Sequence, residues 1–254
     1  MKSRNWTRDE TIIALSVYCR IPFKSSSKTN SEVIKYAKII GRSPSALNMK
    51  IGNFGRLDPT LRVRGIVGLA NGSKLDEEIW NEFSHDWSKL AYESSLLVAK
   101  IKGSTLEESL GIDSATIPRG VERERTVRAR VNHSFFRSAV LSAYNSSCCI
   151  TGLNIAELLI ASHIKPWSVD ENNRLDPQNG LCLNVLHDKA FDRGLITISS
   201  DFHIINSGRL QENYTNIATS EFFERYNGVK IKLPDRFTPG KEFLAFHREN
   251  IFQN

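Results

Sequence analysis

Three polar residues late in the chain, His163, Asn179 and His187, sit where the apolar pattern predicts the ends of elements. The run from Glu157 to Ile164 reads as a strand that Lys165-Pro166 stops, which leaves His163 at its end. A Pro- and Asn-rich loop follows. Gly180 to Asn184 reads as the returning strand, and Asn179 opens it. From Val185 the apolar spacing becomes helical and stops at Gly194, so His187 falls in the first turn. Strand, loop, strand and helix can turn all three side chains onto one face. An imidazole with an unperturbed pKa near ~6.5 accepts a proton at neutral pH. A carboxylate beside an imidazole suits a hard or borderline divalent cation, and Asp188 and Asp192 lie on or near the same helix.

The residues that carry this pattern are ASHIKPW from Ala161 and DPQNGLCLNVLHDKAFDRGLITI from Asp176, with FFRSAVLSAYNSSCCITG before them and LPDRFTP and EFLAFHRENIF after them. The segment resembles the HNH (ββα-metal) endonuclease family, in particular the branch found in bacterial restriction enzymes. That resemblance implies hydrolysis of DNA phosphodiester bonds, a reaction that needs a base for water, a cation for developing charge, and fixed geometry. It makes His163 the general base and Asn179 its brace. It makes His187 the first choice as metal ligand, with Asp192 or Asp188 as the second. Ser162 stands where many members place a further ligand, and Phe191 where many have another histidine. The expected cofactor is one divalent cation, Mg²⁺ or Mn²⁺. No structural zinc is expected, because Cys149 and Cys182 cannot form the two C-x-x-C pairs of many relatives.

The partner implied is double-stranded DNA, with Arg137 and Lys165 as candidate phosphate contacts. A homodimer is expected because two copies cut both strands of a two-fold site most simply. The leading reading is a restriction or defence enzyme whose N-terminal domain chooses the DNA, and the resemblance implies that such a domain can read modified bases. The alternatives are a DNA-binding protein with a decayed metal site and a nonspecific nuclease toxin.

Behind these residues stands a chain of 254 residues with a net charge of +6. Its first 64 residues hold 13 Lys and Arg against 4 Asp and Glu, while the remainder is slightly acidic. A basic N-terminal part points to a polyanion rather than to a membrane. Thr7 and Glu10 have capping-box spacing, a second helix start recurs at Thr29 and Glu32, and Ser43-Pro44 begins a third helix after Gly41. Three short helices read as a helix-turn-helix or winged-helix module, with Arg42, Asn48 and Lys50 as candidate DNA contacts. A long helical pattern runs from Asp76 to about Lys102, and its aromatic residues read as core.

The fold class expected is α+β. A mainly helical basic domain spans 1–102, a charged linker 103–131, and a ββα-metal nuclease domain 132–254. The opening residues have no apolar stretch of signal-peptide type, and no run approaches the roughly 20 apolar residues of a membrane span. The expectation is a cytoplasmic protein with reduced thiols.

Overall fold

The structure, a computed structural model, describes residues 4–66, 72–112 and 121–254, without the side chains of Val121 and Glu122. Residues 67–71 of the Gly- and Arg-bearing stretch and 113–120 of the charged segment lie outside the described residues. The chain forms two compact units, Met1–Ser142 and Ala143–Asn254.

The first unit is helical. Its first helix, α1 (Arg8–Arg20), starts at a complete capping box: Thr7 Oγ1 accepts from the Glu10 amide and Glu10 accepts from the Thr7 amide. Every residue from Glu10 to Cys19 is buried, so α1 is covered on all sides. Around it pack α2 (Ser31–Ile39), α3 (Pro44–Leu57), α5 (Lys74–Phe83) and α6 (Trp87–Lys102), while α4 (Pro59–Val63) follows α3 directly. The unit also holds α7 (Leu106–Ser109) and most of α8 (Val121–Ala143). The cap of α2 is Asn30, not Thr29, and its side chain accepts from the Glu32 and Val33 amides. Ser43 caps α3 ahead of Pro44, as the sequence predicts.

The single long helix expected after Asp76 is two. Ser84, His85 and Asp86 break it because Asp86 caps a new start by accepting from the Lys89 amide. Trp80, Phe83 and Trp87 are buried. The two units divide at Ser142 and Ala143, and the 103–131 segment contributes α7 and the first half of α8.

Among the described residues every strand lies in the second unit, so α2 and α3 have no β-wing beside them. Two expected DNA contacts there point inward. The Arg42 guanidinium bonds Glu10, the Arg4 carbonyl at 2.6 Å and the Asn5 carbonyl at 2.6 Å, and it lies over the Trp6 ring. Lys50 is buried in an ion pair of 2.5 Å with Asp76. Both are corrections to the sequence reading, for one physical reason. A helix face rich in polar residues can be turned to buried acids as readily as to solvent. Asn48 is half-buried and its Oδ1 accepts from Ser26 Oγ, and Arg137 is half-buried on α8.

In the second unit, β1 (Leu159–His163) runs antiparallel to β2 (Gly180–Asn184), with His163 opposite Gly180 and Leu159 opposite Asn184. β1 is shorter than predicted, since Glu157 belongs to a 3₁₀ turn. Asn184 ends β2 and caps α9 (Val185–Asp192) by accepting from the His187 amide at 2.9 Å. Gly194 stops α9 at φ +67, where a Cβ would collide with the Ile251 carbonyl. A hairpin of β3 (Ile196–Ile198) and β4 (Ile204–Asn206) follows, then α10 (Gly208–Gln211), α11 (Ile217–Phe222) and α12 (Lys241–Asn250).

α12 packs against β3 and the end of α9. Its His247 bonds Thr197 Oγ1 at 2.9 Å and the Phe191 carbonyl at 3.1 Å, and its ring stacks on Phe191 at 3.6 Å. Cys148, Cys149 and Cys182 are buried free thiols, and burial holds the Cys149 thiol well above its usual range. Among the described residues no helix is long and apolar enough to cross a membrane.

Candidate active site

Strand β1 and helix α9 bring together a cleft of about 300 Å³ whose lining includes Ser162, His163, Pro166, Trp167, Asp188 and Asp192. Alternation along β1 sends neighbouring side chains to opposite faces, yet the strand ends at His163, and both Ser162 and His163 reach this cleft. His163 is half-buried, and its Nε2 lies 2.9 Å from the Arg174 carbonyl oxygen. A carbonyl only accepts, so Nε2 carries the proton and donates it. The lone pair therefore belongs to Nδ1, the nitrogen that can take a proton.

The loop from Lys165 to Gln178 supplies that carbonyl, and Asn179 holds the loop. The Asn179 Oδ1 accepts from the Lys165 amide at 2.8 Å, and its Nδ2 donates to the Lys165 and Asn173 carbonyls at 3.1 and 3.4 Å. It is 1% exposed, and its own carbonyl accepts from the Ile164 amide. Arg174 closes the loop a second time. Its Nε donates to the Trp167 carbonyl at 2.8 Å, its guanidinium lies 5.1 Å from the Trp167 ring, and that ring meets the His163 ring edge-on at 5.6 Å.

Asp170 accepts from Asn173 and pairs with Lys165 at 3.0 Å. Those contacts, Asn173 first, hold its carboxyl below the usual range. Lys165, a candidate phosphate contact, is thus bound to Asp170 and lies over the Phe246 ring at 5.0 Å.

In the same cleft as His163, Asp188 and Asp192 sit one helical turn apart on α9, the spacing that puts two side chains on one helix face. Burial pushes both carboxyls above their usual range. The charge of Asp188 adds to the effect at Asp192, and Lys189 opposes it at both. Ser162 Oγ lies near enough to Asp188 to favour its ionised form, but it makes no hydrogen bond of normal geometry and is fully buried. Two crowded, partly dehydrated carboxylates beside an orphaned hydroxyl are an oxygen-rich donor set with too little positive charge, which a hard divalent cation would correct. Among the described residues, however, no three His, Cys, Asp or Glu side chains form a metal-ready group. A cation here would depend on Ser162, water and substrate oxygens for its remaining ligands.

His187 is not in the cleft lining. Its ring is 1% exposed, with Nδ1 at 3.0 Å from Asn184 Oδ1, Nε2 at 2.8 Å from the Phe222 carbonyl, and the Phe223 and Tyr226 rings around it. Burial pushes its pKa below the usual value. Both ring nitrogens face protein oxygens, so neither is presented to an ion. The sequence reading offers Asp188 and Asp192 as alternatives for one position, whereas both line the cleft, at the i, i+4 spacing of one helix face. It gives no sign of Arg174, whose link to His163 runs through a backbone carbonyl and leaves no mark in residue type.

Comparison with curated proteins gives no match to this chain. The stretch that holds most of the cleft nevertheless has a match: Cys148 to Ser199, which contains β1, the braced loop, β2 and α9, matches the family model described as HNH endonuclease over residues 148–199.

Proposed function

We propose that the second unit hydrolyses phosphodiester bonds of double-stranded DNA in a divalent-metal-dependent reaction, with His163 as general base. The observation that carries this reading is the placement of a tautomer-fixed His163 in the same cleft as Asp188 and Asp192. Asp188 and Asp192 would hold the cation, with Ser162 Oγ beside them. When bound, that cation supplies positive charge for the scissile phosphate and the leaving oxygen. His163 Nδ1 takes the proton from the attacking water, while the bond from Nε2 to the Arg174 carbonyl keeps the ring in one orientation. Asn179 fixes the loop that provides this carbonyl, and Trp167 limits ring rotation from the edge. His187 is assigned a structural role, as the post between the start of α9 and the Phe222 carbonyl.

On this reading the helical first unit holds the DNA, and α2 and α3 keep a helix-turn-helix order. The chain acts as a homodimeric restriction or defence enzyme. The lopsided charge of the first 64 residues supports the DNA-holding role.

The test is incubation of supercoiled plasmid with the full chain in Mg²⁺, Mn²⁺ or excess chelator. Nicking or linearisation in either metal and none in chelator is the expected result. Undiminished cleavage in chelator removes the metal from the mechanism, and no cleavage with any divalent ion overturns the nuclease reading.

A further inference from the structure

A second concavity in the same unit, of about 460 Å³, lies at the other side of the α9 stop signal and is lined by Arg193, Arg209, Asn213, Asn216, Thr219 and Gln253 among others. Three segments build it: the end of α9, the α10–α11 stretch, and the C-terminal tail. Backbone bonds fix them to one another, from the Gln253 amide to the Gly194 carbonyl at 2.9 Å and from the Ser207 amide to the Leu195 carbonyl at 2.9 Å. Gly194 leaves the close approach the tail requires, since any side chain there would strike the Ile251 carbonyl.

The chemistry of the lining is one-sided. It contains two guanidinium groups and no carboxylate. Among the described residues neither Arg193 nor Arg209 makes an ion pair or a side-chain hydrogen bond, although Arg193 lies close enough to Asp192 to favour its ionised form, whereas Arg225, Arg174 and Arg123 are all paired at contact distance. Asn216 spends its Oδ1 on the Ala218 and Thr219 amides, which leaves its Nδ2 as a donor, and the Gln253 side-chain amide and the Thr219 hydroxyl add more. A polar hollow with two planar cations whose N–H groups bond no other side chain, and with several neutral donors, selects an anion whose oxygens can accept several bonds, and guanidinium groups suit phosphate in particular.

We propose that this hollow binds a backbone phosphate of the DNA flanking the scissile bond. The inference rests on the nuclease reading for the identity of its ligand. Arg193 follows Asp192 directly in the chain, so the hollow begins one residue from the carboxylate pair of the cleft. A strand whose scissile phosphate lies at His163 then passes on to Arg193 and Arg209, and the two sites fix its register together. Such contacts position the duplex without reading bases.

The experiment measures binding of a fluorescently labelled duplex to the full chain in chelator, where nothing is cut, across a salt series. Arg193→Gln combined with Arg209→Gln should weaken binding several-fold at low salt and reduce the slope of log K against log salt by about 1 to 2. Arg193→Lys with Arg209→Lys should keep most of that slope, because the charge remains. Arg225→Gln with Lys230→Gln, which removes the same charge from the same unit outside the hollow, should change the slope by less than half as much. An unchanged slope in the glutamine pair, an equal loss in the outside pair, or an equal loss in the lysine pair overturns the proposal. Inorganic phosphate titrated without DNA should show no saturable binding; saturable binding with an unchanged duplex slope marks a free-ion site and also overturns it. Failure of the nuclease reading appears separately, as wild-type protein that binds the duplex but never cuts it in Mg²⁺ or Mn²⁺.

Discussion

On the proposed reading the two aspartates on α9 hold the cation, and His187, which the residue pattern makes the first ligand, serves the fold alone. Removing the His187 ring leaves Asn184 Oδ1 and the Phe222 carbonyl without it in a buried setting, and such a loss costs about 2–4 kcal/mol. His187→Ala should therefore lower the melting temperature while Mn²⁺ affinity, measured calorimetrically on the folded protein, stays near wild type. Asp188→Asn should do the reverse. Its folded pKa is raised, so the ionised form costs stability above that pKa and the amide removes the cost; the variant should melt no lower but lose Mn²⁺ affinity at least tenfold. Loss of the metal in His187→Ala with unchanged melting would return the ligand role to the imidazole.

His247 gives a pH signature of its own. Burial depresses it to about 4 from 6.5. The unfolded chain takes up its proton first, so stability is full above about pH 6.5 and falls as pH drops toward 4, by on the order of 3 kcal/mol from this group. Urea melts between pH 7 and 4 should show that fall, and His247→Phe, which keeps a ring to stack on Phe191, should flatten it. An equally steep fall in the variant would assign the slope to other groups.

Elements set how much of the site could be read in advance. The strand, loop, strand and helix were legible because each carries a local signal: Pro166 stops β1, Asn184 caps α9, and Gly194 ends it. His163 and Asn179 were legible for the same reason, as residues at element ends. The direction of the His187 ring was not, because it depends on the Phe222 carbonyl 35 positions away. The split between α5 and α6 was hidden because Trp80, Phe83 and Trp87 keep a helical apolar rhythm across the break. Arg42 and Lys50 misled because their partners, Glu10 and Asp76, come from other helices.

Gly194 tests the element that links cleft and hollow. Gly194→Ala places a Cβ at positive φ against the Ile251 carbonyl, so it should cost at least about 1–2 kcal/mol and loosen the C-terminal tail. Faster amide exchange at Gln253 and a lower melting point check this. A variant as stable as wild type would mean that the tail is not seated there.

Across the whole molecule, the net positive charge concentrates in the first 64 residues, but its strongest ion pairs face inward. Lys28 and Lys38 are exposed there, and on the proposed reading such surface lysines meet the DNA. Lys28→Gln with Lys38→Gln should weaken duplex binding and flatten its salt dependence by up to about 2 in slope, with cleavage of saturating substrate unchanged. No change in slope would place the DNA on another face of the first unit. On the proposed reading binding and hydrolysis belong to different residues, and His163 serves hydrolysis alone. The most direct measurement is single-turnover cleavage of one duplex in Mn²⁺ by wild type and His163→Ala, alongside their affinities for the same duplex and for Mn²⁺. The account predicts a loss of cleavage of at least about 10²-fold with both affinities within a few-fold of wild type; cleavage that persists in His163→Ala, or Mn²⁺ affinity that disappears with it, would contradict it.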